Sequence, residues 1–285
     1  MWGRAQYSIF DNADPRKAVF RERTNDCVAR LGALRGGTVR RVELDFEDGH
    51  VYALLHLPAG PVTGASAVIL GPGMDMIKED YIHAAERYYT SRGVVALSIE
   101  GPGQGESRAG GLTVNLTNYE RAIGRYIDFL ASLPEVDPQR IGMFGISMSG
   151  YTDEDAFDRE LAERMPLGDT VGAIGCPVLY GIGEFDELTP LEQAIASFER
   201  VTAPKELRVY EDEFHPLGGV AAETFQFGAE WLERALNGEL AEPGRDVRHY
   251  VHRDGRTTDG TAEPTWWRHE AADAQVAALS GESRA

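Results

Sequence analysis

Apolar positions alternate with polar ones through TVRRVELDF and again through HVYALLHLP. The two stretches flank the turn EDG, so the pattern predicts an antiparallel hairpin near the start of the chain. Ahead of the hairpin, a polar leader turns helical near VFRERTNDCVARLGAL and stops at Gly36 and Gly37. After it the pattern changes. ASAVIL, VVALSI and RIGMF are short apolar runs without alternation, as expected of strands buried on both faces. Helices are predicted between them, over residues 79–91 and 118–132, and PEVDPQ (134–139) reads as a turn. Strand, helix, strand, helix, strand describes crossover units. The predicted class is α/β, with a mostly parallel central sheet, an antiparallel N-terminal hairpin and flanking helices. Further on, CPVLY and ELRVYEDEF read as strands, LEQAIASFER and residues 220–237 as helices, and DVRHYVHRDG as a strand. This divides the chain into an N-terminal helical segment (1–37), a core (38–238) and a partly irregular extension (239–285).

Charge narrows the choice of partner. With 46 acidic against 28 basic residues the formal charge is −18, which leaves no surplus of cations for nucleic acid or an anionic membrane. Cys27 and Cys176 lack metal-ligand spacing, so neither a disulfide framework nor a zinc site is expected. The N-terminus has no apolar run of the secretory type, and no later stretch approaches a membrane span, so cytoplasmic residence is the expectation.

The sharpest chemical signal is RIGMFGISMSG, which places Ser147 just past a strand, with Gly145 before it and Ser149 and Gly150 after it. Small residues at those places permit an abrupt strand-to-helix turn that exposes a nucleophilic hydroxyl. Serine needs a base. Among seven histidines, His215 alone follows a late strand-like run and precedes a long helix, where the order Ser, acid, His expects the base. Asp186, in the loop between CPVLY and LEQAIASFER, is the expected orienting acid, with Glu184 the alternative. The oxyanion would be held by the backbone N–H of Met148 and, from the loop GPGMD, that of Met74. GPGQGE (101–106) lacks the spacing and the lysine of a phosphate cradle and reads as a tight loop. Glu100 before it is either a loop anchor or an auxiliary acid. No cofactor or metal is expected.

The stretches GPGMDMIKEDY, VVALSIEGPGQGESR, VDPQRIGMFGISMSG, IGCPVLYGIGEFDELTPLEQA and PKELRVYEDEFH resemble α/β hydrolases of the group that includes 2,6-dihydroxypseudooxynicotine hydrolase, the FrsA-like proteins and fungal polyketide-shortening hydrolases. The resemblance implies an α/β-hydrolase fold, a Ser147, Asp186, His215 triad, oxyanion donors at Met74 and Met148, and no cofactor. It implies hydrolysis of an activated carbonyl in a small molecule, with carbon–carbon cleavage beside a ketone as one form. Carboxylesterase or thioesterase action, acyl transfer or cyclisation, and noncatalytic binding on the same scaffold are the alternatives.

Three departures stand out. Ser149 replaces the usual elbow glycine, and Glu100 stands where similar proteins have Asp. Ser147 and Asp186 are only 39 positions apart, too few for an elbow helix, another strand, a lid and the acid-bearing strand. Either a segment is missing between Gly150 and Tyr151, or DAFDRELAERM serves as the elbow helix of a shortened fold, with Phe157, Leu161 and Met165 as its narrow apolar stripe. In the extension, Trp266 and Trp267 are costly to expose and are expected to pack on the body or, in a homodimer, on a second subunit.

Overall fold

A computed structural model describes residues 14–73, 76–115, 117–147 and 171–261. Met74, Met148, Ser149, the stretch DAFDRELAERM and the paired tryptophans lie outside the described residues. Helix α1 (Pro15–Leu34) begins with Pro at its first turn and Asp14 as N-cap, whose carboxylate accepts from Arg16 N–H. It ends where Gly36 and Gly37 adopt positive φ.

Strands β1 (Val39–Phe46) and β2 (Gly49–His56) form the expected hairpin, in register from Val39 opposite His56 to Phe46 opposite Gly49. The sheet continues through β4 (Val95–Ile99), β3 (Ala65–Gly71) and β5 (Val136–Gly145), in the order β1-β2-β4-β3-β5. This sheet is mixed rather than mostly parallel. β2 pairs antiparallel with β4, so the hairpin is built into the sheet, and only the β4, β3 and β5 pairings are parallel. β5 also starts earlier than expected: Val136 already pairs with Ala65, and the residues around Pro138 form an irregularity before Ile141 meets Ala67. Proline has no N–H for a ladder, which is why its neighbourhood read as a turn.

Period-two alternation sends Ala67, Ile69, Val95, Leu97 and Ile99 to one buried cluster and Val68, Leu70 and Ala96 to another. Helix α3 (Asn118–Ala131) covers the first face with Ala122, Tyr126 and Leu130, spaced four apart. The Tyr126 hydroxyl lies 2.7 Å from Glu100 O and 2.8 Å from Tyr52 O, pinning the middle of β2 to the residue just past β4. The second face is covered by residues 78–92, which are helical but not one regular helix. 3-10 turns flank a short α segment and a π turn at Ala85–Tyr89. The wider π turn keeps residues four apart in line, so Tyr81, Ala85 and Tyr89, and also Ala84 and Tyr88, all point inward. Phe225 stacks between Tyr88 and Phe144, with ring centroids 5.7 and 5.0 Å away.

A second sheet, in the order β6-β7-β8-β9, consists of β6 (Val178–Gly183), β7 (Lys205–Tyr210), β8 (Asp246–Val251) and β9 (Thr257–Asp259). Its first two pairings are parallel and its last is antiparallel. Helix α4 (Leu191–Arg200) packs on it through Ala194 and Phe198. Lys205 Nζ donates to Phe198 O, Glu199 O and Val201 O, placing a cation at the C-terminal end of α4.

The chain forms two compact units. β1 to β5, with α1, α3 and the short helix α2 (Gly105–Ala109), make the first, together with the portion from Phe225 of helix α5 (Ala221–Leu236). β6 to β9 and α4 make the second. Cys27 and Cys176 are free thiols. No described helix is long and apolar enough to cross a membrane.

Candidate active site

In the first unit, β5 delivers Ser147 just beyond its end. Register aligns Gly71 with Gly145, and Ile146 N–H donates to Gly71 O at 3.4 Å. Ser147 itself has φ +61°, a left-handed conformation costing on the order of 1–3 kcal/mol for a residue with a side chain. That is the backbone of a sharp strand exit. The loop after β3 lies against it. A Cβ added at Gly73 would stand 3.0 Å from Ile146 O and 3.2 Å from Ser147 Cβ, so only glycine fits without displacing the serine. Met74 is the next residue along this loop.

Gln104 fixes the loop. Its Nε2 donates to Gly73 O at 2.8 Å, and its Oε1 accepts from Gly101 N–H at 2.9 Å. The side chain is buried. Gln104→Leu keeps the bulk but strands a buried carbonyl and a buried N–H. We expect it to lower the urea unfolding free energy of the first unit by about 2–3 kcal/mol; an unchanged midpoint would contradict the assignment.

Beneath this loop, Glu100 is fully buried and its carboxylate is engaged on both oxygens. Oε2 accepts from Glu106 N–H at 2.7 Å and from Lys78 Nζ at 3.2 Å. Oε1 faces Arg21 Nη1 at 3.3 Å and Lys78 N–H at 3.4 Å. Gly105, at φ +39°, leaves no room for a Cβ, which would fall 1.9 Å from Glu100 Oε1. Burial holds the Glu100 carboxyl above the usual carboxylate range.

Lys78 also meets Glu79 at 3.0 Å and Glu106 at 3.0 Å, and Arg21 meets Glu79 at 2.7 Å. Arg41 adds a 2.7 Å contact to Glu106, and Asn25 of α1 donates to the same carboxylate. Three cations therefore face three carboxylates. Burial works to raise Glu106, but Arg41 and Lys78 outweigh it and bring its pKa down from 4.5 to about 2. A carboxylate with a depressed folded-state pKa stabilises fully above 4.5, and this contribution is lost as pH falls toward 2. Thermal melts should therefore lose stability across that window in the wild type, and the slope should flatten in Glu106→Gln. Equal slopes would contradict the pairing.

The sequence reading missed this network. Its signal was present: the chain has only three lysines, and one of them sits in the loop after an apolar strand. A buried lysine demands carboxylate partners.

In the second unit, the loop after β6 carries Asp186 and the loop after β7 carries His215. Asp186 is buried; its Oδ1 accepts from Leu188 N–H at 3.0 Å and Thr189 N–H at 2.7 Å. Its Oδ2 lies 2.9 Å from His215 Nδ1. Two backbone amides thus aim one oxygen while the other takes the imidazole, which places the ring proton on Nδ1. Glu187 holds the same histidine by its backbone, accepting from His215 N–H at 3.2 Å. Glu184 is turned elsewhere: its Oε2 accepts from Asp212 N–H at 2.9 Å and ties the two loops together. Among the described residues, no cluster of three or more His, Cys, Asp or Glu side chains has the arrangement of a metal site.

Comparison with known proteins places the first half of the chain in a family. The family described as "Esterase FrsA-like" matches residues 12–154, half of the chain. Alpha/beta hydrolase xenA from Xenoacremonium sinensis is 29% identical over 158 residues, covering 52% of this chain and 37% of its own length. Esterase FrsA from Shigella boydii serotype 18 is 29% identical over 136 residues, covering 47% of this chain and 31% of its own. The matched region thus spans about a third of the length of these relatives. The crystal structure of 2,6-dihydroxy-pseudo-oxynicotine hydrolase superposes with a TM-score of 0.70 at 22% identity, covering 85% of this chain and 81% of that one, which shows a shared α/β-hydrolase fold. On the match across β1 to β5 and the strand exit at Ser147, the chain belongs to the FrsA-like esterase family.

Proposed function

We propose that the chain is a serine hydrolase that cleaves an activated carbonyl in a small molecule through an acyl-enzyme. The observation that carries this reading is the Asp186 clamp on His215 Nδ1, which leaves the other ring nitrogen to act as base. In this reading His215 Nε2 removes the Ser147 proton as Oγ attacks the carbonyl carbon. The resulting oxyanion is held by the Met74 and Met148 backbone amides. Protonated His215 then gives its proton to the departing alcohol, thiol or carbanion. Water, deprotonated by the same histidine, releases the acid and restores the serine. Glu100 acts as the anchor of the loops around Ser147, not as an acid in the reaction.

Relatives carrying hydrolase and esterase names, and the fold shared with a hydrolase whose named substrate bears a ketone, support a ketone-containing or polyketide-like substrate. A carbon leaving group must depart as a stabilised enolate or electron-rich ring. The short interval between Ser147 and Asp186 supports a reduced lid, or one carried by a segment belonging between Gly150 and Tyr151. Turnover of p-nitrophenyl butyrate, an acyl thioester and a β-diketone, each against Ser147→Ala, tests the reading. Serine-dependent turnover of the β-diketone supports carbon–carbon cleavage. Turnover of the ester or thioester alone supports the esterase form, and turnover undiminished in Ser147→Ala refutes the mechanism.

A further inference from the structure

In the hydrolase reading one oxyanion donor is the N–H that follows Gly73, and what aims it can be read from Gly73 itself. A peptide unit is planar and trans, so the C=O of one residue and the N–H of the next are opposite ends of one rigid plate. The direction of Gly73 C=O therefore sets the direction of the N–H behind it. This plate starts beside the nucleophile, because a Cβ on Gly73 would stand 3.2 Å from Ser147 Cβ. Two donors hold its oxygen end. Met76 N–H, at 3.1 Å, belongs to the same loop and moves with it. Gln104 Nε2, at 2.8 Å, reaches across from the loop after β4 and ties the plate to a second element.

Gln104 is held so that it cannot present its other end. Its Oε1 accepts from Gly101 N–H at 2.9 Å, which leaves the NH₂ group facing Gly73 O, and the residue is 4% exposed. Its own N–H donates to Gly101 O at 3.1 Å and closes the turn that carries it. A donor on a carbonyl also draws charge through the peptide and strengthens the N–H at the far end. We propose that Gln104 is a positioning residue for acylation: by holding Gly73 O it turns the N–H of the same peptide away from itself and toward the oxygen that becomes negative when Ser147 attacks. The proposal rests on the hydrolase reading and requires no contact between Gln104 and the substrate.

The test is p-nitrophenyl butyrate turnover by Gln104→Glu and Gln104→Leu from pH 8 down to pH 5, each divided by the wild type at the same pH. At pH 8 both variants should lose about 10- to 100-fold in kcat with KM nearly unchanged, approaching the loss of one oxyanion donor outright. In Gln104→Glu one oxygen still accepts from Gly101 N–H, and the other faces Gly73 O without a proton to give. Burial against a carbonyl holds such a carboxyl above the usual carboxylate range, so lowering the pH restores a donor and the kcat ratio should climb back. Gln104→Leu has nothing to protonate, and its ratio should stay low. Glu100, Glu106 and His215 are common to all three proteins, so their own titrations cancel in the ratio. Circular dichroism at each pH shows that the protein assayed is folded, and if Gln104→Leu does not fold the Gln104→Glu profile decides alone. An undiminished kcat in Gln104→Glu at pH 8, no recovery at pH 5, or a loss confined to KM would overturn the proposal and leave the hydrolase reading standing. A wild type without Ser147-dependent turnover would overturn both.

Discussion

Asp186→Asn is expected to lower kcat by about 10⁴-fold on any substrate the chain turns over, with the fold and KM nearly unchanged. The amide keeps the shape and can still accept from Leu188 N–H and Thr189 N–H through its oxygen. Its NH₂ group then faces His215 Nδ1, where the carboxylate oxygen had been 2.9 Å away. Two donors cannot share that contact, so the ring proton moves to Nε2 and the base loses the lone pair it needs. The magnitude follows the loss seen when the corresponding substitution is made in a serine protease triad. Stopped-flow measurement of acylation checks it, because the defect belongs to proton removal from Ser147. Glu184→Gln provides the contrast: Glu184 holds Asp212 N–H rather than the histidine, and the variant should lose stability more than rate. Equal rate losses in the two variants would refute the assignment of the acid.

The second large effect is on stability. Lys78→Met should destabilise the first unit by about 3–5 kcal/mol, because it leaves Glu79, Glu100 and Glu106 facing one another with only Arg21 and Arg41 to balance them. Methionine fills the space, so the loss measures stranded charge rather than a cavity. Urea unfolding followed at the buried tyrosines of that unit reads it. Glu100 accepts from Lys78 N–H, after the Gly73 loop, and from Glu106 N–H, beside Gly105, so proteolysis near both should accelerate in parallel. A shift below about 1 kcal/mol would mean that the charges are solvated and the network is not a support for the serine loop.

Much of the local structure could be read from the chain because burial and hydrogen bonding leave period signatures. Alternation marked the β1–β2 hairpin, and uninterrupted apolar runs marked β3 and β4, whose residues are buried on both faces. Ser147, Asp186 and His215 were expected in loops just past strands, and they lie beyond the ends of β5, β6 and β7. What escaped notice has identifiable physical causes. The joining of β2 to β4 is a long-range pairing with no local signal, so the sheet read as more parallel than it is. The π turn at Ala85–Tyr89 answers to the packing of Tyr81, Tyr88 and Tyr89, which a regular helical period does not encode. The buried ion network joins residues from Arg21 to Glu106, and sequence spacing cannot show which distant charges meet. Glu100 was open between two roles for this reason; its carboxylate accepts from Glu106 N–H and Lys78 Nζ, neither of them a neighbour in sequence.

The central claim is an activated Ser147, and intact-mass spectrometry after incubation with a fluorophosphonate tests it most directly. The account predicts one adduct, mapped to the peptide containing Ser147, absent from Ser147→Ala and strongly slowed in Asp186→Asn. Folded wild-type protein that takes no adduct, or takes it equally in Ser147→Ala, would contradict the hydrolase mechanism and favour a binding protein built on this scaffold.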